Sequence, residues 1–213
     1  MKYTFVGDIH GKVDCVKEAL SRDGQIIFVG DFIDSFDKTL TEHSECFQLV
    51  LDACKKGKAR AIYGNHELSY LMPSKHQYSG YTSARRHLVL QFARGIAEYF
   101  EPYILLEPTV LVSHAGLTSK LWLDQKLTFD LLPQILDEWW PDHKSPMHYI
   151  GQSRGGNDPY GGLFWCDFRQ EFYPVPGLTQ VFGHTRGTGI RQIENSYCID
   201  CLDQEQNFLV MKL

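Results

Sequence analysis

Five short apolar runs each end in a small residue followed by a polar one, and this repeated punctuation constrains the fold more than any other feature of the chain. Tyr3 to Val6 leads into Gly7-Asp8, Gln25 to Val29 into Gly30-Asp31, and Ala59 to Tyr63 into Gly64-Asn65-His66. Thr109 to Val112 leads into Ser113-His114, and Gln180 to Phe182 into Gly183-His184. Runs of this length, rich in Val, Ile, Phe and Tyr, read as buried strands. Between the first three lie stretches with helical spacing, Val13, Val16 and Leu20 on one face and Cys46, Leu49, Val50 and Ala53 on another. The alternation predicts an α/β fold with a βαβ core, in which ligands collect outside the carboxyl ends of the strands. The polar residues that close the five runs are therefore expected along one edge.

With 213 residues, 43% hydrophobic and 22% charged, the chain can bury a proper core, and one compact domain over 1–213 is expected. Two regions break the rhythm, a helical stretch at about 68–100 and a Pro-, Trp- and Gly-rich one at about 121–162, and both are expected as lid insertions over the strand ends. Closing strands are expected around 189–193, 197–200 and 208–211. A net charge of -5 lacks the basic excess that long phosphate-backbone contacts require, so nucleic acid is not the expected partner. Six cysteines without the dense spacing of a secreted framework fit a reducing cytoplasm. No apolar run approaches the length of a membrane span and no apolar signal core precedes the first strand, so no membrane partner is expected.

The chemistry lies in the residues after the runs. Asp8 and His10 stand two residues apart and can turn toward one ion. Asp31 brings a carboxylate whose two oxygens can bridge two ions, and Asn65, His114 and His184 add an amide oxygen and two imidazoles. This mixed N/O set, with no thiolate, suits Mn²⁺, with Fe, Zn²⁺, Co²⁺ or Ni²⁺ as alternatives, and argues against a structural zinc site. Two divalent ions held about 3.5 to 4 Å apart can orient a phosphate, neutralise its charge and lower the pKa of a water between them.

Gly7-Asp8-Ile9-His10-Gly11, Gly30-Asp31-Phe32-Ile33-Asp34, Gly64-Asn65-His66-Glu67, Ser113-His114-Ala115-Gly116 and Gly183-His184-Thr185 together resemble the calcineurin-like metallophosphoesterases. Each block alone is short, but five in this order with this spacing are specific. The resemblance implies a two-sheet sandwich flanked by helices, with Asp8, His10 and Asp31 on one metal and Asp31, Asn65, His114 and His184 on the other. It also implies that His66 protonates the leaving group and that Asp34 orients and charges that histidine. Gly183-His184-Thr185-Arg186 lacks the further histidine that many broader members carry after this block. That favours the branch of phosphoprotein phosphatases, phage-type phosphatases and symmetrical dinucleoside-tetraphosphate hydrolases. The chain departs from that branch at two positions where a phosphate-clamping arginine is usual: they are Ser35 and Asp167 here. Arg154, Arg169 and Arg186 are the candidates to replace them, since a guanidinium can bind phosphate in a fork from more than one direction.

The reading that follows is hydrolysis of a phosphomonoester, from a phosphoprotein or a small phosphorylated molecule. Dinucleoside polyphosphate cleavage is the alternative, and a non-catalytic binding module on the same scaffold is the rival of another class. Blander roles attach to other residues. Asp34 is also a natural helix N-cap, and Trp139-Trp140 most often serve as wall packing. Cys198-Ile199-Asp200-Cys201 reads as part of a late strand with reduced thiols. Arg85-Arg86 can approach substrate from the helical stretch, although two adjacent charges on a helix usually face water; His43, His76, His87, His143 and His148, which lack partners at ligand spacing, are expected on the solvated surface.

Overall fold

The computed structural model describes residues 1–35, 37–73, 80–203 and 208–213. The first half runs β1 (Lys2–Val6), α1 (Val13–Ser21), β2 (Gln25–Phe28), α2 (Leu40–Lys55), β3 (Ala59–Ile62), α3 (Asn65–Leu71), α4 (Ser83–Tyr99) and β4 (Phe100–Glu101). The second runs β5 (Ile104–Glu107), β6 (Val110–Val112), α5 (Ser119–Asp124), α6 (Leu132–Trp139), β7 (Thr179–Phe182), β8 (Arg191–Ile193), β9 (Ser196–Cys198) and β10 (Leu209–Lys212).

These strands form two five-stranded sheets, ordered β10-β1-β2-β3-β4 and β5-β6-β7-β9-β8. In the first, β1 through β4 are parallel and β10 closes the edge antiparallel to β1. In the second, β6, β7 and β9 are parallel, flanked by antiparallel β5 and β8. The expected two-sheet α/β sandwich with flanking helices is the architecture found.

The alternation of side chains along a strand decides which layer each residue joins. Phe5, Ile27, Val29 and Ile62 of the first sheet meet Ile104, Val112 and Val181 of the second in one apolar cluster between the sheets. Their neighbours Val6, Ile26, Phe28 and Ala61 face the other way and pack on α1 and α2 through Cys15, Val16, Ala19, Cys46, Phe47 and Val50. Helix α2 starts on a capping box in which Glu42 N–H donates to Thr39 Oγ1 at 3.2 Å and Thr39 N–H to Glu42 Oε2 at 2.7 Å. The stretch 68–100 contains the end of α3 and all of α4, which buries Leu88, Val89 and Ile96 and delivers β4 parallel to β3. Helix α4 is thus the crossover of a further βαβ unit. The stretch 121–162 holds most of α5, all of α6 and two single-turn 3₁₀ segments.

Several local expectations change. Strands β4 and β5 do not stand out in the sequence, the first because it is two residues long and the second because only Pro102 and Tyr103 separate it from β4. His43 and His148 are fully buried rather than on the surface. His43 Nδ1 pairs with the Thr39 carbonyl at 2.7 Å, while His148 Nε2 pairs with the Trp140 carbonyl at 3.1 Å and its ring stacks on Trp140 and Phe164. His87 and His143 are exposed, and His76 lies outside the described residues. Trp139 and Trp140 are half-buried and pack against the core. Cys198 is buried in β9 and receives an Arg191 guanidinium N–H at 3.0 Å; Cys201 is buried just beyond the strand. Among the described residues no helix is long and apolar enough to cross a membrane.

Candidate metal centre

Parallel neighbours end on the same side, so the sheet order gathers the polar residues that close the runs. Asp8 and His10 follow β1, Asp31 and Asp34 follow β2, Asn65 and His66 open α3 after β3, His114 follows β6, and His184 follows β7. Close approach of these ends requires glycine at Gly30, whose φ is +102°; a Cβ there would stand 2.6 Å from Gly64 N and 3.0 Å from His114 Nδ1. His10, Asp31, Asp34 and His184 are left-handed themselves, with φ of 44°, 54°, 68° and 66°.

Two groups of candidate ligand atoms result, His10–Asp31–His66 and Asp31–His114–His184, each with its atoms within 4.8 Å of one another. Asp31 belongs to both. Asn65 joins the second, its Oδ1 lying 2.8 Å from His114 Nε2 and 3.0 Å from His184 Nδ1. Asp8 lies outside both groups, and its two oxygens accept the His184 backbone N–H at 3.1 and 3.0 Å. His66 is held in the first group by contacts the motif alone does not show: its Nδ1 is 2.8 Å from Asp34 Oδ2, and its backbone N–H donates to Asp31 Oδ1 at 3.0 Å.

The donor set suits a cation. His10 Nδ1 and His114 Nδ1 each contact a backbone carbonyl at 2.8 Å, of Ile33 and Val29, which fixes the rings and turns Nε2 toward the centre. His184 Nε2 is buried and has no hydrogen-bond partner among the described residues. Burial, reinforced by the charges of Arg154 and His114, holds the His184 pKa well below its ordinary value, so the ring is neutral with a lone pair available. Burial and the charges of Asp200 and Asp31 push Asp8 well above the usual carboxylate range. Carboxylates crowded in this way, beside an orphaned imidazole nitrogen, are the environment a divalent cation satisfies. His10 is lowered to about 4, chiefly by burial. At His66 burial works in the same direction, but the Asp31 charge and the Asp34 hydrogen bond outweigh it and raise the ring to about 9.

The centre opens into a cleft of 870 Å³, lined by Asp8, His10, Asp31, Asn65, His66 and His184 at its floor. Arg154, Trp165, Arg186, Asp34, Ser35, Asp37, Asp200 and Asp203 complete the lining.

The sequence model for the family described as calcineurin-like phosphoesterase matches residues 1–186. The chain belongs to the calcineurin-like phosphoesterases. No curated protein matches it. Among solved structures it is similar to a protein serine/threonine phosphatase from Saccharomyces cerevisiae with similarity to human phosphatase PP5. That match has 18% identity and a TM-score of 0.38, and covers 96% of this chain and 56% of the other. A metallophosphoesterase from Sphaerobacter thermophilus matches at 18% identity and a TM-score of 0.35, over 55% of this chain and 47% of the other. The chain spans about half the length of these two structures.

Within this phosphoesterase the three candidate arginines separate. Arg154 lines the cleft, with Nη2 2.9 Å from Asp167 Oδ2 and 2.8 Å from Thr185 Oγ1, and with a buried Nε that has no partner among the described residues. Asp167, where relatives of the resembled branch carry arginine, thus holds an arginine that arrives from another loop. Arg186 lines the rim, 61% exposed, with Nε 3.1 Å from Asp203. Arg169 is not part of the lining; its Nη2 donates to the Arg186 carbonyl at 2.6 Å. Arg85, expected in water, points inward instead and lies 3.3 Å from Asp34 Oδ1. Asp34 caps no helix, since α2 is capped by Thr39.

Glu67 and Tyr70 carry weight that their place in the motif did not assign. Glu67 is fully buried and accepts four backbone N–H groups around the Asp31 turn. Its place at the third position of α3 is the cue, because a glutamate there reaches back to the helix start. Tyr70 stands four residues after His66, on the same helix face, and its hydroxyl donates to Asp34 Oδ1 at 2.7 Å.

Proposed function

We propose that this phosphoesterase hydrolyses phosphomonoesters, of a phosphoprotein or a small phosphorylated molecule, using two divalent cations, with Mn²⁺ the best-suited ion. The observation that carries the reading is Asp31, one carboxylate common to two groups of ligand atoms, with the His66–Asp34 pair alongside. Asp8, His10 and Asp31 would hold one cation, and Asp31, Asn65, His114 and His184 the other. When bound, such a pair supplies charge neutralisation on the phosphate and an acidified water.

The chain's own groups account for the remaining work. Arg154, fixed by Asp167 and Thr185, offers guanidinium N–H groups to phosphate oxygens in the cleft. Hydrolysis forms a bond from a water oxygen to phosphorus and breaks the ester P–O bond. His66 gives its Nε2 proton to the departing oxygen and is left as a neutral imidazole. Asp34 Oδ2 accepts the Nδ1 proton, which orients the ring and favours the imidazolium that carries its second proton at Nε2.

Charge in the cleft favours one phosphate over a chain of them. Both lining arginines already face a carboxylate, Arg154 that of Asp167 and Arg186 that of Asp203, and Asp37 and Asp200 add negative charge to the wall. The test uses protein stripped of metal and assayed on p-nitrophenyl phosphate. Turnover returning with Mn²⁺, together with a strong loss in His66→Asn on a poorer leaving group, supports the reading. No turnover with any divalent ion sinks it and leaves the binding module standing.

A further inference from the structure

We infer that Arg85 on α4 and Tyr70 on α3 are positioning residues that set Asp34, and through it the His66 ring, for proton delivery to the leaving oxygen. The inference rests on the reading of His66 as proton donor and extends it to two residues outside the motif blocks' assigned roles.

Asp34 is held from three directions. Its Oδ2 faces His66 Nδ1 at 2.8 Å, its Oδ1 accepts the Tyr70 hydroxyl at 2.7 Å, and the same Oδ1 lies 3.3 Å from Arg85 Nε. Arg85 also grips the adjoining backbone, donating from Nη2 to the Ser35 carbonyl at 2.7 Å and from Nη1 to the Gly80 carbonyl at 3.4 Å. One guanidinium thus pins both the side chain of Asp34 and the carbonyl of the next residue. Asp34 needs this grip because its backbone is left-handed, at φ 68°, and such a conformation persists where surrounding contacts over-determine it. Tyr70 is braced in turn by stacking on Tyr81, at 5.1 Å between ring centroids, two residues before α4 begins.

Arg85 is not placed to clamp phosphate. It is absent from the cleft lining, and its three guanidinium nitrogens face Asp34, Ser35 and Gly80. Its influence on turnover therefore runs through Asp34 and His66. An orienting partner on the far nitrogen of a working histidine fixes tautomer and ring direction. Loosening it should penalise the step that needs the proton and spare the step that does not.

Leaving-group dependence reads that difference, because p-nitrophenolate departs without a proton far more readily than phenolate. The experiment measures kcat and KM of Mn²⁺-loaded Arg85→Ala, Arg85→Lys and Tyr70→Phe on phenyl phosphate and p-nitrophenyl phosphate, with Arg85→Ala repeated in a His66→Asn background. Arg85→Ala should lower kcat on phenyl phosphate by about tenfold, a part of what a general acid contributes, and on p-nitrophenyl phosphate by less than about threefold, with KM little changed. Arg85→Lys should recover part of the loss. In the His66→Asn background the Arg85 substitution should add nothing, as expected for residues acting in series. Equal losses on the two substrates, or an undiminished effect without His66, would overturn the inference and leave His66 in its role. A His66→Asn enzyme as active as wild type on phenyl phosphate would overturn the proton-donor reading, and this inference with it. Should Arg85→Ala not fold, Tyr70→Phe, which removes one hydroxyl, carries the same comparison.

Discussion

Replacing Glu67 with glutamine tests whether the metal centre is organised by a single buried carboxylate. Glu67 Oε2 accepts the N–H groups of Asp31 at 2.9 Å and Gly64 at 3.0 Å, and Oε1 accepts those of Phe32 at 2.8 Å and Ile33 at 3.2 Å. An amide has one oxygen, so Glu67→Gln keeps two of these bonds and turns an NH₂ toward two donors. Hydrogen bonds to a charged group are worth about 1.5–3 kcal/mol each, so losing two costs about 3–6 kcal/mol. Relief from burying a charge returns part of that, and a net loss of about 2–4 kcal/mol is expected. At a urea m-value of about 3 kcal/mol/M the unfolding midpoint should fall by about 1 M, followed by tryptophan fluorescence. Mn²⁺ affinity, measured by calorimetry, should fall as well, because one disrupted pair of amides belongs to the turn that presents Asp31. A midpoint shift below about 0.3 M, with wild-type Mn²⁺ affinity, would show that the four amides do not depend on the carboxylate.

Three further substitutions separate the metal centre from its surroundings. Asp31→Asn should cost about 100-fold or more in kcat, because the carboxylate belongs to both ligand groups, whereas Arg169→Ala, outside the cleft lining, should cost less than about threefold; equal losses would refute the ranking. Arg154→Ala should lower kcat/KM by about 10- to 150-fold, the equivalent of one charge-assisted contact of about 1.5–3 kcal/mol, and an unchanged kcat/KM would remove Arg154 from phosphate binding.

Which parts of this arrangement can be read from sequence follows from how far apart the interacting residues lie along the chain. Asp8, Asp31, Asn65, His114 and His184 are legible because each follows its own strand within a few residues, and parallel pairing alone then brings them to one edge. The sandwich core is legible for the same reason, since Ile26-Ile27-Phe28-Val29 shows directly a strand buried on both faces. Glu67 and Tyr70 are half-legible: their spacing on α3 signals a role, but the partners of Glu67 in the Asp31 turn lie 34 to 36 residues away. Arg85 is illegible, because nothing in a helix with consecutive arginines says that the first reaches back 50 residues to Ser35. The burial of His43 and His148 is illegible for a related reason, as a ring nitrogen that meets a backbone carbonyl leaves no pattern in the sequence.

Backbone strain ties these observations together. Of the six non-glycine residues with positive φ among the described residues, four are His10, Asp31, Asp34 and His184, all at the centre. Each such residue costs of order 1–3 kcal/mol and persists only where neighbouring contacts enforce it. Those contacts can be named: the Asp31 carbonyl accepts the Ile9 and His10 amides at 2.9 and 2.8 Å, and Glu67 accepts the Asp31 amide at 2.9 Å. Tyr70 and Arg85 hold Asp34, and both oxygens of Asp8 hold the His184 amide. Most of these braces come from a different strand end than the residue they hold, so the ligand turns restrain one another across the edge of the sheets. A centre built this way keeps its ligands oriented by protein contacts alone, which lowers the cost of bringing them together when a cation binds.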